Sequence, residues 1–392
     1  MRQSFRADLQ QLPRPVWILL GGTLVNRFGT FVLPFLALYL TRNGYTATQA
    51  GFAIAAYGGG HIISSTAGGN LADRIGRRHT IVLSMAGSAI AMLALSQARG
   101  FAAIVIVAAI TGSFSELYRP ASHALIADLV SDDSQRVLAY ALYRFAVNLG
   151  VAAGTATAGF VAEHSFTSLF VVDAVTSFGY GVIAVAALPH GLRSSAKSER
   201  TGEALRIALR DRAFVLFLAA TLCITLIDFQ MGTTYALYVT SRLGYTPHVL
   251  GLLISFNGLL IIIFELLITR FVQRFRPEPV IAIGYLLNNV GFALTGLATR
   301  MPALFAAMAV WTFGEMFSSP MAGAYVAKLA PEQYRGRYMG LLGLMWSIGM
   351  LIGPPLGTLL FERAPAMLWI GAAALGVLSA ALLMLSSRLR NA

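Results

Sequence analysis

Twelve mostly apolar runs divide this chain, near 16–41, 46–69, 79–97, 102–127, 137–162, 167–188, 213–240, 247–272, 279–299, 302–328, 337–361 and 365–386. A helix of about 20 such residues spans the hydrocarbon core of a bilayer. Lipid offers no partner to open backbone groups, so runs of this kind cross it as helices. The chain is 57% hydrophobic and only 12% charged. Soluble domains carry about 25% charged residues, so most of this surface belongs in lipid. The expected fold class is an all-α membrane protein with twelve transmembrane helices. The polar start, Met1 to Arg14, runs into an apolar stretch with no small-residue cleavage site, which reads as a first span and not a removed signal. The single cysteine, Cys223, lies inside the seventh run, so no intramolecular disulfide forms and it reads as a small buried residue.

The net charge of +12 is compatible with nucleic acid, but its distribution points elsewhere. Of the 29 Lys and Arg, 21 fall in the N-terminal segment, alternate loops and the C-terminal segment. Five fall on the opposite side (Arg42, Arg99, Arg242, Arg300 and Arg363) and three lie within spans. By the positive-inside rule both termini are expected in the cytoplasm. The basic faces then set topology and meet anionic headgroups, and no nucleic-acid partner is expected.

The chain also repeats itself. Ala37-Leu38-Tyr39-Leu40-Thr41 and Gly44-Tyr45-Thr46 recur as Ala236-Leu237-Tyr238-Val239-Thr240 and Gly244-Tyr245-Thr246. Gly51 falls opposite Gly251, Glu116 and Pro120 opposite Glu315 and Pro320, and Gly150 and Gly154 opposite Gly349 and Gly353. Two pseudo-symmetric six-helix bundles follow, 1–188 and 213–392, joined by a basic linker at 189–212. The linker carries Arg193, Lys197, Arg200, Arg206, Arg210 and Arg212, and its Glu203–Asp211 stretch reads as a short interfacial helix. Small residues four apart in spans 5 and 11 allow close helix approach, and Pro354-Pro355 removes helical hydrogen bonds.

Between the second and third runs stands Gly69-Asn70-Leu71-Ala72-Asp73-Arg74-Ile75-Gly76-Arg77-Arg78. This spelling resembles the loop between helices 2 and 3 of the major facilitator superfamily (MFS). The resemblance covers nearly the whole chain. It implies the MFS fold, with two parallel six-span halves rocking about a central site, and a protein that works as a monomer. It further implies a conformational latch of Gly69, Asp73, Arg74, Gly76, Arg77 and Arg78, in which Asp73 caps the positive N-terminal end of span 11. In the second half Gln273 stands where Asp73 would, so the latch is one-sided. If the loop only fixes topology, its basic residues suffice. A second stretch, Glu116-Leu117-Tyr118-Arg119-Pro120-Ala121 with Ile126-Ala127-Asp128-Leu129, resembles the twelve-span drug:proton antiporters. That group's span 5 motif has Pro where this chain has Thr155, and the Pro version sits in span 11. The resemblance implies export of amphipathic or cationic small molecules in exchange for protons, from a bacterial cytoplasmic (inner) membrane.

Ionisable residues inside spans are costly and default to functional hypotheses. Glu116 and Arg119 are three apart and share a helix face, and Arg144 on span 5 is expected at the same depth. Glu116 is read either as a static neutralised pair or as a proton carrier whose arginine is released. Asp228 has no basic residue within a turn and is a second proton carrier, paired with Arg27 across the cavity or hydrogen-bonded within its own half. Glu315, opposite Glu116 in the repeat, is the third. Glu265, Asp173, His61 and His123 rank lower. Asn26, Tyr39, Tyr57, Tyr118, Tyr143, Phe229, Tyr235 and Trp346 are candidate cavity residues, the aromatics offering faces to a cation. Equally, they are packing residues.

Other classes lack machinery. Neither lysine, Lys197 or Lys328, follows Gly as a P-loop requires. There is no H-E-x-x-H, G-x-S-x-G or Cys/His cluster, so no enzyme, metal or cofactor is expected. The alternative to multidrug export is a proton-coupled transporter of one endogenous metabolite, for which Arg27, Arg119 and Arg144 suit an anion.

Overall fold

The computed structural model describes residues 9–191, 201–331 and 335–391, and within them every long element is a helix. In chain order these are α1 (Arg14–Gly29), α2 (Val32–Arg42), α3 (Ala47–Ile75), α4 (Arg77–Gln97), α5 (Phe101–Ser115), α6 (Tyr118–Leu129), α7 (Asp133–His164) and α8 (Phe166–Ala187). There follow α9 (Thr201–Arg210), α10 (Arg212–Asp228), α11 (Pro247–Val272), α12 (Pro277–Thr295), α13 (Met301–Leu329), α14 (Arg335–Arg363) and α15 (Pro365–Asn391). A short helix appears there as α9, whereas Arg193, Lys197 and Arg200 of the linker lie outside the described residues.

Among the described residues, nine segments are long and apolar enough to cross a membrane. The three other expected spans are helical but not among the nine, because polar groups interrupt them: His61 and Ser64 in α3, Asn288 and Asn289 in α12, Glu315 in α13. These interruptions are also where the polar sites lie.

Three spans are broken, each for a readable reason. The first is divided between Gly29 and Val32, ahead of Pro34, where the Phe31 N–H turns back to the Gly29 carbonyl at 2.7 Å. The fourth breaks at Glu116 and Leu117, because Pro120 has no N–H to give the Glu116 carbonyl. Ser84 on α4 repairs the break, donating to the Phe114 carbonyl and accepting from the Tyr118 N–H at 3.1 Å. In α13 the helix runs on through Pro320 without a break. The seventh span unwinds after Asp228 into two π-helical turns, Met231–Tyr235 and Tyr238–Arg242, a device common at functional sites. Gln230 holds that turn, donating to the carbonyls of Leu226 (2.8 Å) and Gly353 (2.7 Å) and accepting from Thr233 and Thr234.

The chain separates into two compact units, the described parts of Met1–Val32 with Ala56–Lys197, and of Leu33–Ala55 with Ser198–Ala392. The assignment of 33–55 to the second unit departs from the sequence-based boundary. Its physical basis includes Glu362, whose carboxylate accepts from the backbone N–H of Thr48 at 3.2 Å and from its hydroxyl. Taken separately, the units use the same neighbour pattern. In the first, α1 packs on α7 and α8, and α4 on α5 and α8; in the second, α10 packs on α14 and α15, and α12 on α13 and α15. The repeated glycines allow matching close approaches in the two units. A Cβ on Gly154 would lie 2.3 Å from the Phe28 carbonyl oxygen, and one on Gly353 would lie 2.8 Å from that of Leu226.

Gly154→Ala is therefore expected to cost about 1–3 kcal/mol, because backbone must move. Gly179→Ala, which meets nothing within 4 Å, is the neutral control. Thermal unfolding midpoints in detergent compare the two.

Candidate functional site

The first unit gathers charge at the break in its fourth span. Unwinding at 116–117 turns Glu116 inward, 9% exposed, where Arg27 Nη2 donates to Oε1 at 2.9 Å. Arg119 Nη1 lies 3.7 Å from Oε2 and His61 Nε2 lies 3.9 Å from it. Arg27, read from sequence as a partner for Asp228, is thus engaged within its own unit, and its guanidinium also sits 5.5 Å over the ring of Tyr118. The expected pairing of Glu116 with Arg119 is found; Arg144 is exposed on α7 and is not among the ion partners of Glu116. Of the arginines around Glu116, Arg27 is sealed at 12% side-chain exposure and Arg119 is open at 51%. One carboxylate between two guanidiniums leaves this cluster net positive.

The second unit gathers acids. Asp228 sits where α10 unwinds, and Asn288 Nδ2 donates to its Oδ1 at 2.9 Å. Glu315 Oε2 accepts from Asn257 Nδ2 at 3.2 Å, and Asn257 also donates to Thr312 at 3.0 Å. Asp228, Asn288, Glu315, Ser318 and Trp346 line a cavity of about 170 Å³, and among the described residues its walls contain no Lys, Arg or His. Trp346 is 40% exposed and makes an edge contact with Phe229. Among the described residues, no group of three or more His, Cys, Asp or Glu is placed to hold a metal ion.

The aromatic candidates divide. Tyr57, Tyr118, Tyr143 and Tyr235 are buried in helix packing, Tyr57 bonding Ser115 at 2.7 Å and Tyr235 packing edge-on against Trp311. Tyr39 is half-buried. Asn26 is also buried, donating to Ser177 at 3.1 Å. Sequence reasoning missed Asn257, Asn288 and Thr312. The Asn288-Asn289 doublet in an otherwise apolar run was the available signal.

At the rim of the first unit, the 69–78 segment forms the end of α3, a turn at Gly76 (φ +96°) and the start of α4. Arg77 is buried there, paired with Asp73 one turn earlier and 3.4 Å from Asp128 on α6. Arg78 donates to the Leu188 carbonyl at 3.3 Å. The loop thus ties α3, α4 and α6 together, and Asp128 is a member that the loop motif alone does not contain.

Broken spans, buried charge at the breaks and a repeated neighbour pattern define a polytopic membrane transporter. The Major Facilitator Superfamily description matches residues 19–245 and again 218–391, so the chain belongs to that family. It is an integral membrane protein and a secondary active transporter of the MFS type, not an enzyme. Among curated relatives it is similar to the uncharacterized MFS-type transporter YqjV of Bacillus subtilis, at 28% identity over 87% of this chain and 85% of the relative. It is 24% identical to a Na(+), Li(+), K(+)/H(+) antiporter of Planococcus maritimus (86% and 87% covered) and to quinolone resistance protein NorA of Staphylococcus aureus (88% and 90%). Among solved structures, the nucleoside transporter NupG aligns with a TM-score of 0.83 at 14% identity over 95% of this chain and 98% of that one. A D-xylose-proton symporter aligns at 0.79 with 16% identity over 97% of both. At such identities the structures share the fold.

Proposed function

We propose that this chain couples one specific polar solute, with small anions as the leading class, to a proton gradient across a bacterial cytoplasmic membrane. The observation that carries this reading is where charge and aromatic surface lie. Four aromatics expected to receive an amphipathic cation are sealed in packing, and Arg27 already occupies the face of Tyr118. Arg119 stays half exposed and meets Glu116 only at 3.7 Å, beyond hydrogen-bond range, while Arg27 bonds that carboxylate at 2.9 Å, so Arg119 can turn to pair with an incoming carboxylate or phosphate. Asp228 and Glu315 carry the proton. The halves 1–188 and 213–392 rock about the central site, both termini stand in the cytoplasm, the 69–78 loop latches one state, and the working unit is a monomer.

A second reading, antiport of amphipathic or cationic compounds, is favoured by the acidic cavity with Trp346 in its wall. It also accords with the cation/proton antiporter and the quinolone resistance protein among the relatives. Competition assays on reconstituted protein separate the two. Losing a charged hydrogen bond costs about 1.5–3 kcal/mol, so Arg119→Gln is expected to lower apparent affinity for a transported anion by about tenfold or more. Transport of cations alone, indifferent to Arg119→Gln, would establish the second reading.

A further inference from the structure

We propose that His61 is a proton-controlled positioning residue of the Glu116–Arg119 cluster. It takes up a proton when a small anion binds Arg119 and gives it back when the anion leaves. The inference rests on the anion reading of Arg119, and it adds a proton site in the first unit to the coupling acids proposed in the second.

The starting point is the second oxygen of Glu116. Oε1 receives Arg27 at 2.9 Å, whereas Oε2 is buried and receives no hydrogen bond among the described residues. Arg119 Nη1 stands 3.7 Å from Oε2 and His61 Nε2 stands 3.9 Å from it. Two groups therefore flank one unspent acceptor, and neither holds it. Leaving a buried acceptor without a donor is unfavourable. The protonated imidazole carries a proton on both ring nitrogens, whichever tautomer the neutral ring adopts. A small movement then closes Nε2–H on Oε2 in a charge-assisted hydrogen bond. Arg119 is no longer needed by Glu116 and turns to the solute.

The surroundings of His61 suit this use. A Cβ on Gly60 would strike the Ala109 carbonyl, so α3 lies backbone-close to α5 and holds His61 beside the break. Its Nδ1 is buried with no hydrogen-bond partner among the described residues, so no neighbour pins the ring to one protonation state. The His61 side chain is 25% exposed and that of Arg119 is 51% exposed. A guanidinium half exposed inside a span faces water and not hydrocarbon, so water reaches the cluster. Among the described residues, the charged groups acting on His61 are Glu116, Arg119 and Arg27. Tyr57, one turn earlier on α3, is bonded to Ser115.

Charge sets the sign of the coupling. Arg27, Glu116 and Arg119 together carry one net positive charge, and a proton on His61 adds a second. An anion at Arg119 offsets the added charge, so anion and proton strengthen each other, by equal factors. Anion affinity therefore rises as pH falls through the titration of His61.

The test is calorimetric titration of the purified full chain in detergent with sulfate and with pyruvate, which stay ionised throughout. It covers about pH 5 to 8, where an ordinary histidine changes charge. Two buffers of different ionisation enthalpy count the protons taken up. The expected result is an affinity about tenfold higher at the acid end, with net proton uptake on binding. In His61→Gln the affinity should no longer change with pH and the uptake should vanish. His61→Asn replaces it if that variant fails to fold, and the proton count on the parent chain needs no variant. Binding that is flat with pH, or a pH dependence that persists in both His61 variants, overturns this inference and leaves the anion reading standing. Binding indifferent to Arg119→Gln, or no binding at any pH, overturns the anion reading and this inference with it.

Discussion

Glu116→Gln is expected to destabilise the protein by about 3 kcal/mol or more, since it strands the buried Arg27 charge. Both partners are only 12% exposed, so water does little to compensate for either alone. Arg27→Gln should cost a similar amount for the mirror reason. The double variant Arg27→Gln/Glu116→Gln should cost well under the sum, because neither charge is left behind. Thermal unfolding of the four proteins in detergent gives the coupling. If the single effects simply add, the pair is not the organising contact of the first unit. A proton carrier at Glu116 would add a second consequence, loss of coupling in a variant that still binds solute. The tight arginine pairing favours the static role.

Asp228→Asn is expected to abolish proton-driven accumulation or extrusion while leaving downhill solute exchange measurable. Among the described residues Asp228 has an amide partner, Asn288, and no ion-pair partner, which suits the proposed change of its charge state within the cycle. The amide variant keeps the Asn288 contact in shape but carries no proton. Counterflow at zero gradient and uphill transport at an imposed gradient, measured on one preparation, separate the two functions. Equal loss of both would make Asp228 a solute ligand or a folding residue.

Much of this was legible in the chain. Apolar run length gave the helices, because backbone satisfaction in lipid leaves no other choice. The repeat of Gly150 and Gly154 as Gly349 and Gly353 was legible because only glycine permits those helix approaches. The break at Glu116 was not legible from Pro120, because its repeat counterpart Pro320 sits in a helix that runs on unbroken. Partner choice was not legible. Whether Glu116 takes Arg27, Arg119 or Arg144 depends on the rotation of three separate helices, and depth along a span fixes only one coordinate. The grouping of 33–55 with the second unit was hidden for the same reason, because it turns on tertiary contacts such as that of Glu362 with Thr48. Aromatic burial was unreadable too, as an apolar span shows a lipid face and a packed face with the same residues.

Everted membrane vesicles with an acidic interior test proton-coupled solute transport most directly. Anionic metabolites, then lipophilic cations, are added in turn while the pH gradient is followed, with Asp228→Asn and Arg119→Gln alongside. The expected result is a change in the gradient caused by a narrow set of anions, absent in Asp228→Asn and shifted to about tenfold higher anion concentration or beyond in Arg119→Gln. A gradient that no solute perturbs, or one collapsed equally by the parent chain and Asp228→Asn, would contradict proton coupling through the second unit's acids.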